Sequence, residues 1–399
     1  MVVQKNILPR IILGVYIVTQ VFAFALSFLD IIYGIGTWQQ SMIDFCYTVR
    51  NFSFFMGIVV VILCNRVTLD DCLLVVFFAV SYLVMRLIFP ENGEYFKEIQ
   101  PILMYAIGAY VAVRAVFFEW DELRNILLWA ARIISVISIV VLFTNTSYMA
   151  NHSVYMNFAN AVSVWVALLL YSGITRGNVM DAGVSILGLI LLLVYGSRGS
   201  VLTLMILAIY LLWLKMENKK RVLIWGLIAI IALLFAPTIL RSMMSTLTDI
   251  GVDSRSLGKI LSGSFLVSND RLRIYTYLMS VIVNNFAIGA GLCGDRYYLP
   301  LEFSGVDATY AHNLFIEMYV DYGVFIGTFI IGIMLYLIVK CFFQEADEEK
   351  KAFFAVFFIL GFMQLMISRS WLTEQNFFVF FALLVSYSDT PRKRLVWGE

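Results

Sequence analysis

The sequence predicts an all-α protein, a polytopic membrane bundle of about twelve transmembrane helices with one long outer loop. Three observations predict it. Hydrophobic residues make up 61% of the 399 residues and charged residues only 14%, whereas a soluble domain is about half apolar and a quarter charged. Apolar stretches recur along residues 11–387, and lysine and arginine gather in alternate connections between them. The surplus apolar surface is therefore expected to face lipid.

Composition also excludes several classes of function. A net charge of +1 gives no field to attract nucleic acid, and no basic cluster approaches a nucleic-acid footprint. The five cysteines form no CxxC pair and no histidine stands at ligand spacing, so we expect neither a structural metal nor a disulfide framework. Residues 1–10 have the charge bias of a signal peptide without a small-residue cleavage site, which predicts an uncleaved first span.

The predicted spans are apolar stretches long enough for a hydrocarbon core, or slightly shorter stretches bounded by charge. The segment 48–65 is included although Arg50 and Asn51 lie within it. The predicted positions are residues 11–30, 48–65, 70–89, 99–118, 125–145, 156–173, 179–196, 199–215, 221–240, 312–341, 352–369 and 374–389.

Lysine and arginine in the short connections set the expected orientation, because cytoplasmic loops carry the excess of cations. Both termini are then cytoplasmic, as an even number of spans requires, and the long connection 241–311 lies on the outer side. The cation-bearing segments assigned to the cytoplasm are residues 1–10, 65–71, 114–124, 173–178, 215–221, 340–351 and 392–394.

This orientation divides the chain into three parts: spans one to nine over residues 1–240, the outer loop over 241–311, and spans ten to twelve with a cytoplasmic tail over 312–399. Within the loop, residues 271–285 show an amphipathic pattern, and Ser268, Asn269 and Asp270 before them are good N-cap residues. The pattern predicts a helix lying on or dipping into the membrane surface, where function is expected to concentrate.

Arginines of the outer side are candidates for binding an anion. Arg198 stands between two glycines in residues 196–200, where a sharp turn lets a guanidinium approach a phosphate closely; the alternative is an arginine that snorkels to the interface. Arg271 lies in the first turn of the predicted loop helix, where free N–H groups favour an anion. Arg273 points about 200° away from it, so only one of the pair is expected to reach a shared ligand. Surface arginines facing solvent or lipid headgroups are the alternative for both.

Two further outer-side residues complete the candidate set. Arg296 follows three glycines in residues 289–296, and the GxGxxG-like spacing there follows no strand, so a dinucleotide site is discarded. His312 stands at the mouth of the tenth span, and imidazole is well suited to take a proton from a hydroxyl near neutral pH. A helix-capping histidine without catalytic function is the alternative.

Acidic residues continue from this histidine into the tenth span. Asn313, Glu317 and Asp321 follow at i, i+4 and i+8, so they form one polar row along the helix. Acids at that depth must face the bundle interior and be paired or hydrated, and the expected partners are Arg132 or Arg369.

The candidates share one side of the membrane, which suits an anionic diphosphate beside a neutral base. These motifs, with YGSRG at 195–199 and AHNLFIEMYVDYG at 311–323, resemble the bacterial O-antigen ligase and O-antigen polymerase superfamily. The resemblance covers the whole topology and is strongest over residues 186–330. It implies a bundle like that of glycosyltransferase C enzymes and an integral-membrane glycosyltransferase that uses neither metal nor cofactor.

The resemblance also implies roles and partners. The donor is a glycan on undecaprenyl diphosphate, the acceptor is a glycan hydroxyl outside the bacterial cytoplasmic membrane, and a chain-length regulator is a candidate protein partner. By position His312 matches the histidine that activates the acceptor. The residues expected to bind the diphosphate are Arg198, Arg271, Arg273 as a competing match, and Arg296; Asn313, Glu317 and Arg369 are expected to support the site.

Three functions fit this resemblance and composition. An O-antigen polymerase, which extends one lipid-linked glycan with another, is favoured by analogy because polymerases are the more variable branch. An O-antigen ligase, which transfers finished polymer to lipid A core, is the alternative within the same chemistry. A lipid-linked oligosaccharide flippase is disfavoured, because transporters place their charged residues near the bilayer midplane.

Overall fold

A computed structural model describes residues 11–12, 14–19, 21, 36–63, 67–116, 120–144, 154–195, 198–216, 220, 224, 226–227, 269–303, 310–345, 347–367 and 369–388. The elements within these ranges are helices. They are α1 (Gly36–Leu63), α2 (Leu69–Ile88), α3 (Gly93–Val116), α4 (Trp120–Thr144), α5 (Val154–Thr175), α6 (Val179–Tyr195), α7 (Arg198–Lys215), α8 (Asn269–Asn284), α9 (Gly294–Glu302), α10 (Leu314–Gln344), α11 (Glu348–Phe357), α12 (Gln364–Ile367) and α13 (Gln375–Ser388).

The all-helical class predicted from the sequence is confirmed for the described ranges. Four helical stretches there are long and apolar enough to cross a bilayer: Leu69–Ile88, Trp120–Val140, Leu314–Gln344 and Glu348–Ile367. Shorter apolar helices stand beside them at Val162–Thr175, Val179–Leu192, Gly199–Lys215 and Gln375–Tyr387. The total of twelve spans stays a prediction, since most of the expected spans 11–30 and 221–240 lies outside the described residues.

Several boundaries differ from those expected. The span placed at 48–65 belongs to a longer helix, α1, which begins at Gly36 and continues through Arg50 and Asn51. In the predicted outer loop, the amphipathic helix is present as α8, while most of the loop before it lies outside the described residues. The glycine-rich turn after α8 leads directly into α9, a helix that the sequence pattern did not predict.

α10 is broken near its first third. Gly323 has φ 72° and ψ 175°, a backbone conformation open to glycine and costly for other residues. The backbone groups left without helical partners at this break form hydrogen bonds with the turn between α8 and α9. Ala290 N donates to Val320 O at 2.7 Å and Gly291 N to Asp321 O at 3.1 Å. In the other direction, Val324 N donates to Phe286 O at 2.9 Å. The turn is therefore held against the interior of the bundle, where exposed backbone groups would be costly.

The chain from Glu348 to Ile367 passes through a wide π-helical turn at Phe358–Met363 before α12. α13 packs against both this turn and α3. Such turns are frequent at functional sites. Here the segment that follows the wide turn ends at Ile367, which lies in the candidate site.

Ion pairs fix the end of the bundle where α10 finishes. Arg114 is buried and donates to both carboxylate oxygens of Asp71 at 3.0 and 2.9 Å and to Ser386 Oγ at 2.7 Å, which ties α3 to α2 and α13. Arg124 pairs with Glu349 at 2.8 Å just after α10 ends. The 31 residues of α10 rise about 1.5 Å each. The opposite end of the bundle, where α10 begins, is therefore several tens of ångströms away.

Candidate active site

The candidate site forms where the N-terminal ends of α8 and α10 meet the end of α12. Asn313 caps α10, because its Oδ1 accepts hydrogen bonds from Phe315 N at 3.0 Å and Ile316 N at 3.3 Å. Its Nδ2 donates to the carbonyl of Met366 at 3.2 Å. The Asn313 side chain thus caps the start of α10 and attaches that start to α12.

His312, the residue before this cap, is held in an unusual conformation. Its φ is +55°, in the left-handed region that few non-glycine residues adopt. The imidazole lies with its centre 4.0 Å from that of the Tyr310 ring, and Tyr275 Oη donates to the His312 carbonyl at 3.4 Å. Its Nδ1 is buried and has no hydrogen-bond partner among the described residues. Backbone strain and an unpartnered buried nitrogen are features that cluster at functional sites.

The surroundings keep this histidine neutral. Burial is the main cause, and the positive charges of Arg271 and Arg296 act in the same direction; together they lower the pKa of His312 to about 4. Near neutral pH the imidazole therefore has no charge, and it can accept a proton.

The two arginines of α8 diverge as their spacing predicts. Arg271 is half-buried, and its Nη1 donates to the carbonyl of Ile367 at the end of α12. Arg273 is exposed, with its guanidinium 5.6 Å from the centre of the Phe303 ring. Of the two, Arg271 is the one whose charge lowers the pKa of His312.

Arg198 is the first residue of α7, and the structure describes its backbone only. The next residue, Gly199, faces the same part of α12: a Cβ placed on Gly199 would lie 3.8 Å from Ile367 Cγ2. Since Ile367 also accepts the hydrogen bond of Arg271, the N-terminal end of α7 and that of α8 meet at one residue. The backbone of Arg198 is therefore at the same end of the bundle as His312.

Arg296 has a different environment from the one expected of a ligand-binding arginine. It is 6% exposed, and its Nη1 contacts Asp295 Oδ1 at 3.1 Å and Glu317 Oε1 at 3.3 Å, while its Nη2 donates to Ser370 Oγ at 2.7 Å. Burial lowers the pKa of Arg296, but the negative charges of Asp295 and Glu317 outweigh that effect and raise it above its ordinary value. Both terminal nitrogens are already engaged, so Arg296 is left out of the diphosphate ligands proposed below.

The expected partners of the two acids on α10 were wrong. Glu317 pairs with Arg296, and neither Arg132 nor Arg369 contacts it in the described ion pairs. Arg132 lies on α4 and pairs with Asp181 of α6 at 2.8 Å. The reason is that α9, absent from the predicted elements, brings its own arginine beside α10.

The remaining expected residues lie nearby with other roles. Arg369 has φ +76° and pairs with Glu374 in the turn between α12 and α13. Asp321 accepts a hydrogen bond from Gly294 N at 3.2 Å through Oδ1, and its Oδ2 has no partner among the described residues. Sequence reasoning missed Asp295 and Ser370; Asp295 could have been noticed as the acid beside Arg296, but no pattern singles out Ser370.

The comparison with known families is informative for this region. Residues 183–332, from α6 to the middle of α10, match the family model described as O-antigen ligase. This segment is similar to the O-antigen polymerase and ligase family of membrane proteins. No curated protein matches the chain, and no solved structure matches it either.

The matched segment contains most of the candidate residues. Arg198, Arg271, Arg273, Arg296 and His312 all lie within it, whereas Arg369 and Ser370 lie beyond its end. Members of the family are glycosyltransferase-like enzymes that act on lipid-linked glycans. The candidate site therefore combines residues of the matched segment with residues of the turn that follows α12.

Proposed function

We propose that the protein is an O-antigen polymerase, which transfers a glycan from undecaprenyl diphosphate to a hydroxyl of another lipid-linked repeat unit. The observation that carries this proposal is the neutral, strained His312 beside Arg271 at one end of a membrane bundle, within the segment that the family model matches. The reaction takes place at the outer face of the cytoplasmic membrane, with both termini inside.

The proposed reaction is a direct displacement at the anomeric carbon with inversion. Arg271 and Arg198 bind the diphosphate and stabilise the negative charge that grows on it as the glycosidic bond breaks. His312 accepts the proton of the acceptor hydroxyl as the new bond to the anomeric carbon forms. No metal has a part in this scheme, because two guanidinium groups supply the positive charge that the leaving group needs.

The remaining candidate residues are proposed to support Arg198, Arg271 and His312. Asn313 fixes the start of α10 against α12, so that the His312 turn and the Ile367 carbonyl stay together. Glu317 and Arg369 both hold the turn between α12 and α13, since Glu317 accepts a hydrogen bond from Trp371 N and Arg369 pairs with Glu374. Arg273 is on another face of α8 and is proposed to lie outside the diphosphate site.

Substitution of the α8 arginines separates their roles. We expect Arg271→Ala to raise the KM for lipid-linked donor by about tenfold to a hundredfold, since a charge-assisted hydrogen bond to a diphosphate contributes about 1.5–3 kcal/mol. Arg273→Ala is the matched control and should leave that KM unchanged. Steady-state transfer of a labelled repeat unit by purified protein measures both. Equal effects of the two substitutions would contradict the assignment of Arg271.

The pH dependence follows from the pKa of His312. Its imidazole is active when neutral, so activity is lost as pH falls through the pKa of about 4 in the free protein. We therefore expect kcat/KM to stay level from neutral pH down to well below 6, because kcat/KM reports groups of the free enzyme. A decline centred near the ordinary histidine value of 6.5 would show that the site does not depress the pKa.

Surface polysaccharide from a deletion strain distinguishes the polymerase from its alternatives. Loss of a polymerase leaves single repeat units on the lipid A core, whereas loss of a ligase leaves polymer on the lipid carrier. Purified protein in liposomes should also lengthen a labelled lipid-linked glycan without any energy source. Movement of the glycan across the bilayer without lengthening would indicate a flippase instead.

A further inference from the structure

A buried ionic network stands beside the proposed base. It consists of Asp295 and Arg296 on α9, Glu317 on α10 and Ser370 in the turn after α12. Asp295, Glu317 and Ser370 are each 0% exposed. Burying charged groups is costly, and apolar residues of similar volume often stabilise a protein as well as a buried ion pair does. Stability alone therefore does not explain why charged residues are present here.

The network is bonded to the turn that carries His312. Asp295 Oδ2 accepts a hydrogen bond from the backbone N of Ala311 at 2.8 Å, one residue before the histidine. Its other oxygen, Oδ1, accepts from the backbone N of Arg296 at 2.9 Å and from Nη1 of the same residue at 3.1 Å. The guanidinium of Arg296 also lies 5.7 Å from the centre of the Tyr310 ring, against which the imidazole packs.

The same network is bonded to the turn that carries Arg369. Ser370, the next residue, accepts from Arg296 Nη2 at 2.7 Å and donates to Glu317 Oε1. Glu317 Oε2 accepts in turn from the backbone N of Trp371 at 3.3 Å. Arg296 is therefore the bridge between two turns that are distant in the sequence.

Each turn holds a strained residue next to an anchored one. His312 and Arg369 are two of the three non-glycine residues with positive φ in the described part of the chain, at +55° and +76°. Ala311 precedes the first and Ser370 follows the second, and both are bonded directly to the network. A left-handed non-glycine residue persists only where surrounding contacts hold it there.

We propose that Asp295 and Arg296 are positioning residues, which hold the backbone turns of His312 and Arg369 in the conformation that the transfer reaction needs. This inference rests on the proposed function, since it assumes that His312 is the base. It changes the expectation for Arg296, which acts through the turns and does not touch the donor diphosphate. Loss of a positioning residue lowers kcat, whereas loss of a diphosphate ligand raises the KM for the donor.

The test uses full-length purified protein and a labelled lipid-linked repeat unit. We expect Asp295→Asn and Arg296→Lys to lower kcat by about tenfold to a hundredfold, because a misplaced general base loses much of its efficiency. The KM for the donor should not change. Lysine keeps the charge of arginine but lacks the planar fork that bonds two carboxylates and Ser370 together. A raised donor KM with unchanged kcat would overturn the proposal, because it would make Arg296 a diphosphate ligand.

A double-substitution cycle with His312→Asn provides the decisive readout. If Asp295 acts through His312, Asp295→Asn should cause no further loss of kcat in the His312→Asn protein. A further loss as large as in the wild-type protein would overturn the proposal. Full turnover by His312→Asn alone would contradict the proposed function itself, so the two failures can be told apart.

Two further variants separate positioning from folding. Ser370→Ala removes one hydroxyl from the network and should lower kcat less than Arg296→Lys, again without a change in donor KM. Arg124→Lys is the matched control, since Arg124 is a mostly buried arginine paired with Glu349 at the other end of the bundle. It should leave kcat unchanged. An equal fall in kcat for Arg124→Lys would overturn the proposal by showing that any weakened ion pair has this effect.

Discussion

His312→Ala should lower kcat by about two to four orders of magnitude, the range that general base catalysis contributes. The KM for lipid-linked donor should stay near the wild-type value, because the residues proposed to bind the diphosphate remain in place. The physical reason is that the acceptor hydroxyl must lose its proton as it attacks, and the imidazole is the neutral base that stands beside Arg271. Single-turnover transfer with excess enzyme measures the chemical step directly.

Strain at this position calls for a second variant. Alanine tolerates the left-handed conformation of His312 poorly, so part of its effect could come from a displaced turn. Asparagine adopts that conformation more readily than most residues and cannot act as a base near neutral pH. His312→Asn should therefore show the same loss of kcat. Substitution of the only other histidine, His152→Ala, is the control and should preserve transfer. Wild-type turnover by His312→Asn would remove the histidine from the mechanism.

Gly323→Ala should destabilise the folded protein by about 3 kcal/mol or more. A Cβ at this position would lie 2.6 Å from both Ala287 O and Gly289 N, which are backbone atoms that cannot turn aside. Gly289 is equally constrained from the other side, with φ +75° and a would-be Cβ 2.4 Å from Gly323 N. The two glycines allow the α8–α9 turn to bond the broken helix. Thermal unfolding of the detergent-solubilised protein measures the loss.

Gly332 in the same helix is a matched control for this substitution. A Cβ there meets nothing within 4 Å, and the residue lies in the helical part of α10 after the break. Gly332→Ala should therefore be neutral or slightly stabilising, by up to about 1 kcal/mol, since alanine is the better helix former. If Gly323→Ala unfolded at the same temperature as Gly332→Ala, the close approach of the two backbones at Gly323 would be disproved.

Features that depend on local chemistry could be predicted from the sequence. The amphipathic spacing after Asp270 predicted the helix that the structure shows as α8. The two-residue spacing of Arg271 and Arg273 predicted their divergence, because successive helical residues turn by about 100°. The polar row of α10 placed Glu317 and Asp321 on the interior side, and both are buried.

Features that depend on contacts between distant segments could not be predicted. The sequence places Glu317 on a buried face but does not say which arginine meets it, and Arg296 reaches it only because the α8–α9 turn folds against the break in α10. That break follows from Gly323, whose conformation is set by Gly289 and the backbone around it. Ser370 likewise contacts Arg296 and Glu317 only because distant segments of the chain pack together. A single polar residue in a turn has no local pattern that indicates its partners.

Binding of undecaprenyl diphosphate distinguishes the proposed roles of Arg271 and His312. In the proposed site Arg271 binds the donor diphosphate, whereas His312 accepts the proton of the acceptor hydroxyl and is not needed for donor binding. The measurement is a titration of purified protein in nanodiscs with ³¹P NMR of the lipid diphosphate. We expect His312→Asn to bind the lipid as tightly as the wild-type protein and Arg271→Ala to bind it at least about tenfold more weakly. Wild-type affinity in Arg271→Ala, or a diphosphate resonance that no variant changes, would contradict the proposed roles.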